Sequence, residues 1–446
     1  MDFEVNIKEL DWRTLQLNAC TKQELDKLLP RAEFSLETAI ETVRPLLEKV
    51  KNQGLDALYA FSKQFDSVEQ NPSNSGSGIK IPDEYLQKSW ENLGDELKEA
   101  LLEAKRRITA VHTAQIPEEF VTNLAEGAVV RQRWLPIQRV GLYVPGGLAV
   151  YPSSVLMNAI PAQCAGVKDL VIASPPQAAF GGHIHPTIAA TAYLMGVKNV
   201  YAVGGVGAIG MFAYGVQGVE QVDAITGPGN IYVAAAKQLV QPLVGIDAVA
   251  GPTEIGIIAD KSASPEFLAA DMISQAEHDS LAASVLFTDS PELAKSVKHA
   301  LSKRTEKTKH QKRVKTALEG MQSAIILVKS LDDAIILANA YGAEHLEIQT
   351  EESEKVAQKI TNAGAIFVGS YSPVPLGDYI GGSNHVLPTT NASRFSSGLG
   401  VHSFLRSVQQ IEYTKNALEV VRDKLVLIAN DENLPAHGEG ALARFE

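Results

Sequence analysis

Short apolar runs alternate with segments of helical apolar spacing from about residue 136 onward. Four runs in the first series predict β-strands, and helical segments follow them, most often after a glycine-containing turn. The predicted strands are residues 137–144, 169–174, 199–203 and 222–226. Repetition of strand, turn and helix is typical of a parallel sheet with helices on its faces.

A second series of the same kind begins after residue 252. Its predicted strands are residues 254–260, 283–289, 324–330, 345–349 and 365–369. The predicted fold class is therefore α/β, with two doubly wound parallel-sheet domains of incomplete Rossmann-like type and small helical N- and C-terminal extensions. The chain before the first series is expected to supply helices around the sheets. Substrates in such sheets bind beyond the carboxyl ends of the strands, where we expect the site.

Composition and charge narrow the class of protein. The chain has 446 residues, of which 45% are hydrophobic and 21% charged, as in a globular protein of at least two domains. A net charge of -12 argues against a nucleic-acid partner or an anionic membrane. Only Cys20 and Cys164 occur and no secretory signal is visible, so we expect a cytoplasmic protein. The uncharged stretches 145–167 and 200–219 are broken by Gly and Pro, which favours buried core over a membrane span.

Two glycine-rich turns are candidate phosphate loops. Gly205 to Gly210 matches G-x-G-x-x-G between a predicted strand and a helix. The acid expected near the end of the next strand is missing, however, because Asp223 falls near that strand's start, and close packing of helix and strand explains the glycines equally well. The turn 227–230 is the second candidate, with Asn230 as a helix N-cap. An ordinary tight turn is its equal alternative.

A dispersed set of histidines, carboxylates and one amide could bind a metal. Gln275 and His278 are three residues apart and would share one face of a helix, although a single histidine there is more often a packing or surface residue. The companions that strengthen the case are Asp378, His385, Glu432 and His437. Two histidines, a carboxylate and an amide oxygen would suit zinc, in a site assembled between domains or subunits.

Glu344 and His345 place an acid beside a base at the entry to a predicted strand. Adjacent residues of an extended chain point in opposite directions, so both could serve one site only at an irregular bend. The functional interpretation is a proton-transfer pair, because histidine is the usual base near neutral pH. The alternative is a helix-to-strand junction with a capping glutamate and a half-buried histidine.

Three other segments receive simpler interpretations. Residues 71–78 are predicted to form an exposed loop. The basic stretch 295–315 lacks interleaved aromatic residues, which favours a solvated helix face over a nucleic-acid patch. His183 and His185 have metal-like spacing but no cysteine or carboxylate nearby, so an exposed loop is favoured there.

Nearly the whole chain resembles the histidinol dehydrogenases. The segments that carry the resemblance are GLYVPGG (141–147), ITGPGN (225–230), AGPTEIGIIAD (250–260), SQAEHD (274–279), AEHLEI (343–348), GDYIGGSNHVLPT (377–389), RFSSGLGV (394–401) and ENLPAH (432–437). Together they are specific, although none would suffice alone.

The resemblance implies oxidation of L-histidinol through L-histidinal to L-histidine with two NAD, the last steps of histidine biosynthesis, in a homodimer with one zinc ion per subunit. The implied zinc ligands, which also contact the substrate, are Gln275, His278, Asp378 and His437. The further substrate-binding residues would be Thr253, His345, His385 and Glu432, and the NAD contacts Tyr143, Gly207 and Asn230. His437 and Glu432 would come from the partner subunit.

Catalytic roles follow from the same resemblance. His345 would remove the alcohol proton as hydride leaves for NAD, and Glu344 would activate water to attack the aldehyde. Zinc would orient the imidazole and amine of histidinol. Three positions depart from the family pattern, with Gly207 in place of glutamine, Thr253 in place of serine and Ala343 in place of proline.

The expected division of the chain is fourfold. Residues 1–28 form a helical extension, and 29–140 with 253–398 form the α/β domain that carries most of the zinc and catalytic site. Residues 141–252 form the cofactor-binding domain, and 399–446 form a helical tail that reaches the partner subunit.

The main alternative function is a paralogous NAD-dependent dehydrogenase for another small alcohol. A non-enzymatic binding protein and a zinc hydrolase are weaker alternatives, because Glu344 and His345 are both present and no compact H-E-x-x-H motif occurs.

Overall fold

A computed structural model describes residues 3–32, 35–69, 78–146, 150–249 and 251–446 of the chain. The predicted exposed loop 71–78 lies outside these ranges apart from Gly78. The strands are β1 (Lys8–Asp11), β2 (Phe120–Ala125), β3 (Ala128–Pro136), β4 (Arg139–Tyr143), β5 (Asp169–Ser174), β6 (Asn199–Ala202), β7 (Ala224–Thr226), β8 (Gly245–Ile246), β9 (Glu254–Ala259), β10 (Ala283–Thr288), β11 (Ala324–Leu327), β12 (His345–Gln349), β13 (Ala365–Val368) and β14 (Leu405–Tyr413).

Helices make up most of the remaining regular structure. They are α1 (Lys22–Leu28), α2 (Leu36–Gln53), α3 (Leu55–Phe65), α4 (Asp83–Glu91), α5 (Asp95–Ala114), α6 (Pro152–Cys164), α7 (Pro186–Leu194), α8 (Gly205–Tyr214), α9 (Ile231–Val240), α10 (Pro265–Ala276), α11 (Pro291–Thr305), α12 (Gln311–Glu319), α13 (Leu331–Tyr341), α14 (Ser353–Ala357), α15 (Lys415–Asp431) and α16 (Pro435–Leu442). Within the described ranges, no helix is both long and apolar enough to cross a membrane.

The first series of strands forms a five-stranded parallel sheet in the order β6-β5-β4-β7-β8. The chain therefore starts in the middle, adds strands to one side and then crosses to the other, as in a Rossmann-like half. Side chains alternate between the two faces of a strand. Val140 and Leu142 enter one apolar cluster, while Val171 and Ala173 enter the cluster on the opposite face. The predicted parallel sheet is confirmed.

The second series forms a six-stranded parallel sheet in the order β1-β11-β10-β9-β12-β13. Strands β9 to β13 repeat the order of the first sheet, so both predicted doubly wound units are present. The sixth strand, β1, comes from the N-terminal segment 1–28, which therefore contributes a strand as well as helix α1. Its residues Lys8 to Asp11 pair with Ala324 to Leu327 at the edge of the sheet.

A third sheet was not predicted. β2 and β3 form an antiparallel hairpin, and β14 pairs with β3 over its whole length. All six side chains of β2 are exposed, and most of β14 is exposed too. Such strands lack the apolar run that marks a buried strand. The C-terminal segment 399–446 thus combines strand β14 with the predicted helices.

The helices α2 to α5 cover the five-stranded sheet. Apolar residues of α2 and α3 share a cluster with α8 and α9, and those of α4 and α5 pack with α6 and α7. This packing differs from the expected grouping of residues 29–140 with 253–398. The physical reason is that the apolar faces of these four helices meet the helices of segment 141–252.

Candidate active site

Most of the candidate catalytic residues lie at the amino edge of the six-stranded sheet. Thr253 directly precedes β9, and Glu344 directly precedes β12, of which His345 is the first residue. These two strands are neighbours, with His345 opposite Ile255. These candidate residues therefore do not lie beyond the carboxyl ends of the strands, where the site was expected.

A bend brings Glu344 and His345 to one place. Helix α13 ends at Tyr341 and is followed by Gly342, whose left-handed φ of 57° favours glycine, and the strand begins at His345. Between them, the carbonyl groups of Ala343 and Glu344 accept hydrogen bonds from the backbone N–H groups of residues 364 and 365. The irregular bend that a shared site would require is thus present at this helix-to-strand junction, and it permits adjacent side chains to approach each other.

The carboxylate of Glu344 is the centre of a buried hydrogen-bond network. Its Oε2 accepts the hydroxyl of Thr253 and the backbone N–H of Glu254, the latter at 3.0 Å. Thr253 in turn accepts a bond of 2.6 Å from Nε2 of Gln275. Glu344 is 8% exposed, so these donors replace water as the partners of its side chain.

His345 has a defined arrangement of its ring nitrogens. Nδ1 lies 3.3 Å from the carbonyl oxygen of Glu254, and a carbonyl can only accept, so Nδ1 carries the proton of this bond. Nε2 is buried without a hydrogen-bond partner among the described residues, 3.6 Å from Oδ1 of Asp378. Burial lowers the pKa of His345, but the nearby carboxylates of Glu344 and Asp378 outweigh it and raise that pKa to about 9.

Asp378 lies in a single wide helical turn, Leu376–Ile380. Its backbone carbonyl accepts a bond of 3.0 Å from Nδ1 of His385. Burial would raise the pKa of Asp378, but the close approach of His345 and the charges of His345, His385 and His278 lower it below its ordinary value. Burial lowers the pKa of His385, which favours its neutral form. Three imidazoles thus act electrostatically on this carboxylate.

Gln275 and His278 lie at the end of α10. The helix ends at Ala276, so the predicted helix through residue 278 is two residues too long, and His278 lies in the following turn, where its N–H bonds the carbonyl of Gln275. Gln275 is 2% exposed, yet its Oε1 has no partner among the described residues. His278 is exposed. Within the described part of the chain, no three His, Cys, Asp or Glu side chains are grouped closely enough to hold a metal.

The C-terminal members of the predicted set lie elsewhere in this chain. Glu432 caps the end of α15, and His437 lies in α16; both are exposed. The two helices pack on each other, and neither residue has a described contact with Gln275 or Asp378. A single chain therefore brings together Thr253, Glu344 and the residues around Asp378, without these two.

The predicted cofactor residues lie at the carboxyl edge of the five-stranded sheet. Tyr143 ends β4, and its buried hydroxyl accepts the N–H of Gly205 at 3.1 Å; burial raises its pKa to about 12. Gly227 follows β7 with φ of 123°, and a side chain there would overlap the carbonyl of Tyr143. Asn230 caps α9 as predicted, its side chain accepting the N–H groups of residues 232 and 233.

Gly207 faces a helix interface. A Cβ on it would lie 3.3 Å from Leu58 and 3.4 Å from Phe61, both in α3, while one on Gly210 would lie 3.0 Å from Val50 in α2. These glycines let α8 approach α2 and α3 closely. The contacts favour the packing interpretation of the G-x-G-x-x-G sequence, and a contact of Gly207 with a cofactor stays a prediction.

Sequence analysis missed Glu254 and its partner Arg31. Glu254 is 5% exposed, and burial raises its pKa to about 7. Arg31 lies 3.4 Å from Glu254, donates to the carbonyl of Tyr341 and stacks over that tyrosine ring. The N-terminal segment is thereby attached to the strand that carries the site. The sequence did offer a signal for Glu254, because a charged residue stands there at the start of an otherwise apolar strand.

A buried acid pair was also missed. Asp271, one turn before Gln275 in α10, and Glu347, two residues after His345 in β12, share the amide of Gln349 at 3.2 Å each. Burial raises the pKa of Asp271 to about 6 and that of Glu347 well above its ordinary value. Glu347 also accepts the N–H of Val374 at 3.1 Å, so the pair joins three segments that lead to the site.

Comparisons with known proteins lead to one family. The family described as histidinol dehydrogenase matches residues 29–445. Histidinol dehydrogenase from Bifidobacterium longum is 54% identical over 435 residues, covering 95% of this chain and 91% of the relative. The protein of that name from Mycobacterium tuberculosis is 50% identical, covering 99% and 98%.

Structural comparison leads to the same family. The crystal structure of histidinol dehydrogenase from Elizabethkingia anophelis matches with a TM-score of 0.91 at 33% sequence identity, covering 99% of this chain and 98% of that one. Both domains are therefore included in the match. The family match, the sequence identities and the structure agree over nearly the full length, and the chain belongs to the histidinol dehydrogenase family.

Proposed function

We propose that this protein oxidises L-histidinol through L-histidinal to L-histidine with two NAD and a bound zinc ion. The observation that carries the proposal is the joining of Glu344, His345 and Asp378 at one buried site in a chain of this family. The alcohol gives up two electrons as hydride and one proton. The aldehyde then takes up water and gives up a second hydride, which yields the carboxylate.

His345 is the proposed base for the alcohol step. Its Nδ1 is engaged with the carbonyl of Glu254, so Nε2 is the atom left to accept a proton. The neutral form of the ring can take up that proton, and the carboxylates of Glu344 and Asp378, which raise its pKa, would stabilise the imidazolium that forms. An alcohol oxygen near Nε2 could therefore lose its proton as hydride leaves for the nicotinamide.

Glu344 is the proposed base for the aldehyde step. One of its oxygens, Oε2, is held by Thr253 and by the N–H of Glu254, which fixes the plane of the carboxylate. The other oxygen could accept a proton from water as that water attacks the aldehyde carbon. Thr253 keeps the hydroxyl that this network requires, although the family pattern has serine there.

The residues around Asp378 fit a zinc ion. Gln275 has a buried carbonyl oxygen without a partner among the described residues, Asp378 is ionised, and the charge of His278 acts on Asp378. Amide oxygen, carboxylate and imidazole are suitable zinc ligands. Zinc held by Gln275, His278, Asp378 and His437 would orient the imidazole and amine of histidinol. His385 and Glu432 would complete the substrate pocket.

His437 and Glu432 are proposed to come from the partner subunit of a homodimer. Both are exposed in their own chain, and the surrounding C-terminal surface is apolar: Val420 is 72% exposed and Leu427 is 71% exposed. Apolar patches of this kind are typical of interfaces. The helical tail would thus supply the fourth zinc ligand across the dimer.

NAD is proposed to bind at the carboxyl edge of the five-stranded sheet, near Tyr143, Gly207 and Asn230. That edge has the start of α8, the turn at Gly227 and a buried tyrosine hydroxyl. Helix N-termini and glycine turns favour anionic groups such as a pyrophosphate.

We also propose a cytoplasmic location, in keeping with two free cysteines.

A substrate panel tests the proposal against the paralogous alternative. Zinc-loaded protein is supplied with NAD and either histidinol or small alcohols without an imidazole, and NADH is followed at 340 nm. Turnover of histidinol alone supports the proposal. Turnover of another alcohol without histidinol would establish the paralogous dehydrogenase instead.

A further inference from the structure

We propose that Asn158 is a positioning residue that couples the cofactor turn to the substrate-site residue His385, through Thr226 on one side and Ser154 on the other. The inference rests on the proposed function, since it concerns the NAD and histidinol sites. Asn158 lies in α6, the helix that runs between the two groups of site residues.

The carboxamide of Asn158 has a single orientation. The residue is fully buried, and its Nδ2 donates to the carbonyl oxygen of Ser154 at 2.7 Å. A carbonyl only accepts, so the nitrogen must face it and Oδ1 must face the other way. There Oδ1 accepts the hydroxyl of Thr226 at 2.8 Å. Each side of the amide thus has a different partner.

On the cofactor side, Thr226 is the last residue of β7 and directly precedes Gly227. The peptide groups on both sides of Gly227 are bonded to a buried ion pair. Its N–H donates to Asp247 at 2.8 Å, and its carbonyl accepts from Lys237 at 3.1 Å. The turn that leads to Asn230 is therefore held between this pair and Asn158.

On the substrate side, Ser154 is 1% exposed and its hydroxyl lies 3.3 Å from Nε2 of His385. Nδ1 of His385 donates to the carbonyl of Asp378, so Nε2 is the accepting nitrogen and the serine hydroxyl donates to it. This bond holds the neutral ring in one orientation. Asp378 in turn lies 3.6 Å from His345.

The chain of contacts connects two edges that belong to different sheets. It runs from the carboxyl edge of the five-stranded sheet, through α6, to the residues beside the amino edge of the six-stranded sheet. The helix is otherwise almost entirely apolar on its buried sides, where a polar side chain is costly unless bonded. A satisfied polar network in such a place defines one arrangement of its members.

The test is a pair of substitutions, one at each end of the chain of contacts, whose kinetic effects are measured at the opposite end. Thr226→Val removes a hydroxyl on the cofactor side, and Ser154→Ala removes one on the substrate side. We expect Thr226→Val to lower kcat/KM for histidinol about 5- to 30-fold, which corresponds to the loss of one buried hydrogen bond. We expect Ser154→Ala to raise the KM for NAD. Thr226→Ser keeps the hydroxyl and should stay within about 2-fold of wild type.

Two controls separate positioning from simple destabilisation. Thr191→Val removes a buried hydroxyl of α7 whose one bond to a described residue is within its own helix, at 2.8 Å. It should lower Tm as much as Thr226→Val while leaving both KM values unchanged. In the double variant Thr226→Val/Ser154→Ala the two kinetic losses should not add, because either substitution alone already interrupts the chain of contacts. Additive losses, or equal kinetic losses in the Thr191 control, would overturn the inference.

A measurement independent of turnover keeps this test distinct from that of the proposed function. Amide hydrogen exchange of residues 226–233 is followed by mass spectrometry in wild type, Ser154→Ala and Thr191→Val. Faster exchange in Ser154→Ala alone supports the coupling even if histidinol is not the substrate. Unchanged exchange in that variant contradicts it, whatever alcohol the enzyme oxidises.

Discussion

Oε2 of Glu344 lies 3.6 Å from Nδ1 of His345, although neighbouring side chains of a strand point to opposite faces. The approach depends on the left-handed Gly342 and on the bend at Glu344, before the ladder of β12 begins. Both side chains thus lie at one place in the structure. The proposed two-base mechanism requires this proximity.

Separate roles for the two bases predict separable defects. Glu344→Gln is expected to slow oxidation of supplied histidinal about 10²- to 10⁴-fold, the usual contribution of a general base, while a single alcohol oxidation per turnover is retained. His345→Asn should slow the alcohol step by a similar factor. Rapid-quench analysis of the bound aldehyde measures both.

The exposed Glu220→Gln variant is the control for that experiment and should behave like wild type. If Glu344→Gln slows both oxidations equally, its carboxylate has a shared structural role and the assignment of water activation is wrong.

Replacing Gly207 with glutamine, the residue of the family pattern, is expected to destabilise this protein. The new side chain must fit against Leu58 and Phe61 of α3, and overpacking of this kind costs about 1–3 kcal/mol. Urea unfolding measures the loss. Gly440→Gln is the matched control, because that helical glycine has open space around it. Tighter NAD binding without a loss of stability would instead support a cofactor contact at residue 207.

The buried acids Asp271 and Glu347 predict a stability that falls as pH rises. Their pKa values are raised in the folded protein, so folding favours the protonated forms, and this contribution is lost as pH rises through the folded pKa, about 6 for Asp271. Glu347→Gln removes one ionisation. It should match wild type near pH 5 and be more stable by about 1–3 kcal/mol near pH 8, since one pKa unit corresponds to about 1.4 kcal/mol.

Tm measured between pH 5 and pH 8 in both proteins decides this point. The exposed Glu354→Gln variant should follow the wild-type curve at every pH. A constant offset between Glu347→Gln and wild type would show that the pair does not titrate in this range.

A site shared between subunits predicts complementation. His278→Ala and His437→Ala are each expected to abolish activity, because each removes one proposed zinc ligand. Mixed and allowed to exchange subunits, they should form heterodimers with one intact site, and up to about half of the dimers would carry it by random pairing. Activity recovered after exchange is the readout. No recovery, with heterodimers shown by native mass spectrometry, argues against the shared site.

The sequence pattern predicted the two parallel sheets well, and the exceptions have physical causes. Every predicted strand of both series is present because buried parallel strands are continuous apolar runs. The hairpin β2–β3 and strand β14 were missed because their side chains are largely exposed. The edge strand β1 is short and polar, so only its pairing with β11 identifies it.

The site was predictable by residue type more than by position. Glu344, His345 and Asp378 do meet, whereas their location at the amino edge of the sheet depends on the long-range pairing of β9 with β12. Ser154 had no local signal, since a serine near a helix start is usually a cap. Its role depends on His385, 231 residues away in sequence.

The stoichiometry of the complete reaction tests the account most directly. Zinc-loaded protein is incubated with limiting L-histidinol and excess NAD, with and without a chelator, and NADH and L-histidine are both quantified. The account predicts two NADH for each histidine formed, and loss of activity with the chelator that zinc restores. One NADH per histidinol with histidinal as the final product, or full activity in the metal-free protein, would contradict it.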